Sequence, residues 1–153
     1  LAHFIAEQVP EKHFIFNDGF CHVHKSIHSE DVKKAKELHP DALVLAHPEC
    51  TGDTLALADF VGSTSQIIDY ATASDSKKFL ICTEMGVFYE VMQKNPDKKF
   101  FSVGHRQFCP NMKKVSLDKV LEKLEDLKDE VILPEEMCEQ AKKPLDEMLR
   151  LAQ

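Results

Sequence analysis

Tryptophan is absent from this chain and tyrosine occurs only twice, so flat platforms for stacking nucleobases are scarce. A basic excess is missing too. Nineteen Lys and Arg stand against 26 Asp and Glu, a formal charge of −7, the opposite of a nucleic-acid footprint. The basic pairs, among them Lys33-Lys34, Lys77-Lys78 and Lys98-Lys99, are scattered and read as solvated faces and turns. No apolar run approaches the ~20 residues of a membrane-spanning helix; the longest, such as Ala42–Ala46, have strand length. These absences predict neither a nucleic-acid nor a membrane partner. A disulfide framework is lacking as well. The five cysteines, Cys21, Cys50, Cys82, Cys109 and Cys138, are odd in number and irregular in spacing, which predicts reduced thiols and a cytoplasmic location. No secretory leader is visible. The first residue is Leu1, opening directly into a helical pattern, and predicts a piece of a longer protein.

What remains is an ordinary globular balance, 43% hydrophobic and 29% charged over 153 residues, which excludes collagen, coiled coil and disorder. Apolar runs of strand length recur, each followed by polar or small residues. Strands are predicted near residues 13–16, 42–46, 59–61, 79–82 and 100–103, and residues 130–133 form a further short run before Pro134. The polar ends are Asn17-Asp18-Gly19, His47-Pro48-Glu49-Cys50, Gly62-Ser63-Thr64-Ser65, Thr83-Glu84-Met85-Gly86 and Gly104-His105. Between them lie amphipathic helices: Glu30–Leu38 behind Ser29, Gln66–Ala71 behind Ser63 or Thr64, Glu84–Lys94, and Leu117–Leu127 behind Ser116. Pro134 opens a last helix toward Leu151, and Pro144 is expected to kink or split it. Alternating strands and helices predict an α/β fold with parallel sheet. The runs are apolar throughout, as in strands covered on both faces. Open parallel sheets bind ligands beyond the carboxyl ends of their strands, where the polar clusters fall.

Each cluster admits a chemical and a structural reading. In Cys21-His22-Val23-His24, Cys and His can reach one ion from a turn, and His-x-His on a strand would point two imidazoles the same way; the alternative is a buried Cys beside solvated His residues. His47 and Glu49 can form an acid/base pair after the strongest strand, or cap a strand and start a helix. Gly62–Ser65 can bind a carboxylate or phosphate at a helix N-terminus, or be simple capping. Thr83–Gly86 reads as a capping-box start or as a functional turn. Cys109, before Pro110 and near Lys113-Lys114, is a packing residue or a thiolate ligand. Cys50, Cys82 and Cys138 read as core or incidental.

Taken in order, these clusters resemble one family. Cys21-His22-Val23-His24, His47-Pro48-Glu49-Cys50, Asp59–Gln66, Thr83-Glu84-Met85-Gly86 and Cys109-Pro110-Asn111-Met112 are similar to motifs of quinolinate synthase, the A protein of bacterial NAD biosynthesis, across its C-terminal half. The resemblance implies αβα three-layer units with parallel sheets, arranged as a pseudo-threefold three-domain fold. Residues 1–20 would end the second unit, 21–108 would form the third, and 109–153 would be a helical segment that packs back on the first unit and is therefore left with an exposed apolar face here. It implies condensation of iminoaspartate with dihydroxyacetone phosphate to quinolinate, with loss of phosphate and two waters. The implied cofactor is a [4Fe–4S] cluster held by Cys21, Cys109 and a third cysteine outside this chain, with one iron open to act as a Lewis acid. The implied catalytic residues are Glu49 and His24, and the substrate-binding residues His47, Ser63 and Thr64. Implied partners are the missing N-terminal half of the enzyme and the L-aspartate oxidase or dehydrogenase that supplies iminoaspartate. Without that half the chain is expected to be inactive. Two other classes stand beside this one: a zinc hydrolase built on His22, His24, His47 and Glu49, and a non-catalytic α/β module with an anion site at Ser63–Ser65.

Overall fold

The computed structural model describes residues 1–104 and 107–152. The chain divides into two compact units, Leu1–Pro110 and the residues from Asn111 onward. In the first unit, the helices α1 (Ala2–Gln8), α2 (His22–Lys25) and α3 (Ser29–Leu38) precede β1 (Leu43–Ala46). Then α4 (Gly52–Leu55), β2 (Phe60–Val61), α5 (Thr64–Ala73), β3 (Lys78–Cys82), α6 (Val87–Lys94) and β4 (Lys99–Ser102) follow.

The four strands form one sheet in the order β2-β1-β3-β4, and every pairing is parallel. Side chains alternate across a strand, and both faces are covered. Val44, Ala46, Leu80 and Cys82 pack with Val32 and Ala35 of α3 on one face. Leu45, Phe79 and Ile81 pack with Ile67 and Ala71 of α5 and Val91 of α6 on the other. Two-sided burial explains why these strands read as continuous apolar runs, and the three-layer α/β expectation holds. Asp59 fastens β2 to β1 twice: its carboxylate accepts from the Val44 N–H at 2.7 Å and its own N–H donates to the Val44 carbonyl at 2.8 Å.

Residues 13–16 do not form the predicted strand. They have no sheet partner among the described residues, and Ile15 is 92% exposed. An apolar run without a neighbouring ladder leaves its backbone to water and gains nothing from extending. Residues 130–133 are likewise outside any strand and exposed. His105 lies outside the described residues.

Helix α5 starts as its sequence predicts. Ser63 accepts from the Gln66 N–H at 3.3 Å, and the Gln66 side chain accepts from the Ser63 N–H at 2.8 Å, a reciprocal capping box. Gly62 makes the approach possible. A Cβ there would lie 2.7 Å from Phe60 Cε1 and 2.9 Å from Gln66 Cβ. Phe60 is itself stacked on Tyr70 at 4.3 Å, so it cannot swing away freely. Gly62→Ala is expected to destabilise the protein by about 1–3 kcal/mol, the range for overpacking; an unchanged urea midpoint would refute this.

The second unit contains a 3₁₀ turn at Met112–Lys114, α7 (Leu117–Asp126) and α8 (Glu135–Leu151). Ser116 caps α7 through the Lys119 N–H. Pro144 does not split α8, which runs as one element of 17 residues. The apolar positions Leu117, Leu121 and Leu124 of α7 and Leu145, Met148 and Leu149 of α8 are exposed. Among the described residues, no helix is long and apolar enough to cross a membrane.

Candidate active site

The strand order places the site. The chain runs from β1 to β2 on one side and then returns to lay β3 on the other side of β1. The strand order therefore reverses between β1 and β3, and open parallel sheets bind ligands beyond the carboxyl ends of the strands at such a point. His47-Pro48-Glu49 follows β1 and Thr83–Gly86 follows β3. His24, on the single turn of α2, bridges the two. Its Nδ1 lies 3.0 Å from Glu49 Oε2 and its Nε2 lies 2.9 Å from Thr83 Oγ1. His24 and Thr83 are buried, whereas the Glu49 side chain is 34% exposed. The His47 ring stacks on His24 with centroids 4.2 Å apart and planes 8° from parallel. The Glu49 N–H donates to His47 Nδ1 at 3.3 Å, which fixes the turn around Pro48.

Cys21 is the residue that caps the start of α2, and its carbonyl accepts from the Lys25 N–H at 3.0 Å. One ligand atom each from Cys21, His24 and Glu49 lies within 4.8 Å of the others. A thiol, an imidazole and a carboxylate at this spacing can hold a metal ion. Cys21 and Glu49 also line a cavity of about 1100 Å³, together with Lys25, Pro48 and Thr51.

The other predicted residues fall as follows. Cys109 is buried on the segment after β4, outside the Cys21–His24–Glu49 group. Its N–H donates to Glu84 Oε1 at 3.2 Å, and the other Glu84 oxygen accepts from the Gly86 N–H at 2.6 Å. Ser63 and Thr64 are exposed at the end of β2, and neither is among the residues lining the large cavity. His22 parts from His24. The segment is helical rather than extended, so side chains two apart diverge by about 200° instead of aligning; His22 is exposed and His24 buried. The His22–His24 pair expected of an extended segment is therefore not formed, while His24 and His47 remain together. The 83–86 segment is a turn joined to the site rather than a capping box, since no side chain caps α6.

Gln107 carried no signal in the sequence. It is buried, its Nε2 donates to the carbonyls of Ile81 at 2.6 Å and Thr83 at 2.7 Å, and its Oε1 accepts from the Val103 N–H at 2.8 Å. An isolated glutamine has no periodicity or spacing that marks it, and only the folded sheet end explains it.

Burial first, and the neighbouring His47 imidazole second, hold the His24 pKa below the ordinary histidine value against the opposing pull of Glu49. Burial lowers His47 as well. A histidine whose folded pKa is depressed binds its proton more tightly when unfolded. Its contribution to stability is thus present above the unfolded pKa of about 6.5 and is lost as pH falls below that value. Acidification from pH 7.5 to 5.5 is expected to lower the urea midpoint, and His24→Gln to flatten this dependence. A pH-independent midpoint over that interval would contradict the assignment.

The fold is a three-layer parallel α/β unit of the doubly wound class, and the thiol, imidazole and carboxylate it gathers could hold a metal ion. Comparison with known proteins narrows the class. The family model described as "Quinolinate synthetase A protein" matches residues 1–150, and the chain belongs to that family. It is 51% identical to a quinolinate synthase of Caldicellulosiruptor bescii over 151 residues, which covers 99% of this chain and 50% of the relative. A quinolinate synthase of Alkaliphilus metalliredigens is 48% identical, with 99% and 50% covered. "Quinolinate synthase 2" of Methanosarcina acetivorans is 42% identical, with 93% and 46% covered. The chain thus spans about half the length of these relatives.

Proposed function

We propose that this chain is one part of a quinolinate synthase, which condenses iminoaspartate with dihydroxyacetone phosphate to quinolinate, releasing phosphate and two waters, in NAD biosynthesis. The observation that carries the proposal is the convergence of Cys21, His24 and Glu49 at one point, with Cys21 and Glu49 lining a cavity, in a chain of this family. Residues 21–108 would form one of three similar units, and the rest of the enzyme would supply the others. A separate oxidase or dehydrogenase acting on L-aspartate would supply iminoaspartate.

The donor chemistry fits an iron–sulfur cluster. Iron–sulfur clusters are held by thiolates. Cys21 is partly exposed and lines the cavity. Burial pushes the Cys50 thiol up to about 12 and raises Cys82 further, so both favour the inert thiol. Cys21 and Cys109 would hold a [4Fe–4S] group, with a third cysteine from outside this chain. When bound, its open iron would supply a Lewis acid for the dehydration steps.

The chain's own residues would do the rest. Glu49, partly exposed and hydrogen-bonded to His24, would take and return protons. His24 would set the direction of that carboxylate and share its proton. His47, held by the Glu49 backbone, would bind a substrate carboxylate. Ser63 and Thr64 would bind another at the start of α5, where backbone N–H groups favour an anion. The decisive experiment is anaerobic iron and sulfide analysis of the full-length protein, with a visible spectrum and an assay for quinolinate. Iron with labile sulfide and product formation is expected. Zinc without sulfide, or no metal at all, would overturn the proposal.

A further inference from the structure

We infer that Thr83 is a positioning residue for the reaction: its hydroxyl donates to Nε2 of His24 and thereby fixes the ring that orients Glu49. The inference deepens the synthase reading and rests on it. Its basis is the hydrogen-bond inventory of one buried imidazole. His24 has two ring nitrogens and each has one partner, Glu49 Oε2 at 3.0 Å and Thr83 Oγ1 at 2.9 Å. Paired with a carboxylate, which only accepts, Nδ1 takes the hydrogen. Nε2 is then an acceptor and needs a donor. At 3% exposure for Thr83 and 7% for His24, bulk water is a poor substitute. The Thr83 hydroxyl supplies that donor.

Thr83 is itself held at both ends of its residue. Its carbonyl accepts from Gln107 Nε2 at 2.7 Å, and it directly follows β3 in the sheet. The hydroxyl therefore projects from a fixed backbone. The imidazole it meets sits against a second flat surface, the His47 ring 4.2 Å away. With one face stacked and both nitrogens bonded, the His24 plane is set, and so is the direction from which Glu49 meets it. Partners that fix the tautomer and plane of a functional histidine are worth as much to activity as many direct contacts.

The test uses the full-length enzyme with Thr83 replaced by Val, Ala and Ser. Val keeps the shape and loses the donor; Ala loses both; Ser restores the donor. Val and Ala are expected to lower kcat by about ten- to a hundredfold, the scale for orienting partners, with KM changed by less than about threefold and iron content unchanged. Ser is expected to return kcat to within about threefold of wild type. A crystal structure of Thr83→Val should show the His24 ring turned off its stack on His47, and that of Thr83→Ser should not. The proposal is overturned if Val retains wild-type kcat, if Ser loses as much as Val, or if the ring stays in place in Val. It is equally overturned if Val and Ala both fail to fold, because the role is then structural. Should the wild-type enzyme make no quinolinate, the synthase reading fails by itself, and the ring position in the variants still decides the role of Thr83.

Discussion

Glu49→Gln in the full-length enzyme is expected to cut turnover by about 10²–10⁴-fold, the usual contribution of a general acid–base group, while iron and sulfide stay at wild-type levels. Glutamine preserves the length and shape of the side chain and can still hydrogen-bond to His24 Nδ1 through its carbonyl. What it loses is the ability to accept a proton near neutral pH. The geometry separates this role from a structural one. The Glu49 side chain is 34% exposed and lines the cavity, so removing its charge leaves no uncompensated buried group. A loss of turnover therefore reports chemistry rather than collapse, and the urea midpoint should move little. Two results would redirect the assignment. Near-normal turnover would make Glu49 a structural residue. Loss of iron together with turnover would make its carboxylate a ligand, as its proximity to Cys21 permits.

Replacing Cys21 or Cys109 by Ser is expected to remove most of the iron from the full-length enzyme, because hydroxyls are poor substitutes for thiolates at iron. Iron content should survive substitution of Cys50, Cys82 or Cys138. For Cys50 and Cys82 the replacement should be Ala, since both are buried in the core and a serine hydroxyl there would need a new partner. Cys138 is exposed on α8, and Ser there should be silent. This chain alone carries two of the three expected ligands and should purify without a stable cluster. Retention of iron in Cys21→Ser and Cys109→Ser would refute the ligand assignment, and loss of iron in Cys50→Ala would move it to a residue now considered inert.

Much of the sheet was legible because two-sided burial writes itself as unbroken apolar runs. Leu43–Ala46 and Lys78–Cys82 form strands where those runs predict them. Residues 13–16 have the same local character and form none. Composition reports that a segment can pair, not that a partner exists. The site was half legible for a similar reason. Strand-end position marked His47, Glu49 and Thr83, but the order β2-β1-β3-β4 determines that the ends of β1 and β3 adjoin. That order depends on crossovers, which leave no trace in periodicity. The difference between His22 and His24 was hidden because α2 is four residues long, too short for a helical period to show.

The turn after β3 anchors two groups at once. Thr83 grips His24, while Glu84, one residue on, holds the Cys109 backbone, and Gln107 ties that same segment back to the strand end. The imidazole and the sulfur therefore share a foundation. A substitution that shifts this turn displaces both, and repair at one of them leaves the other misplaced. Pairwise substitutions at positions 83, 84 and 107 should therefore combine non-additively, because each acts on the same turn.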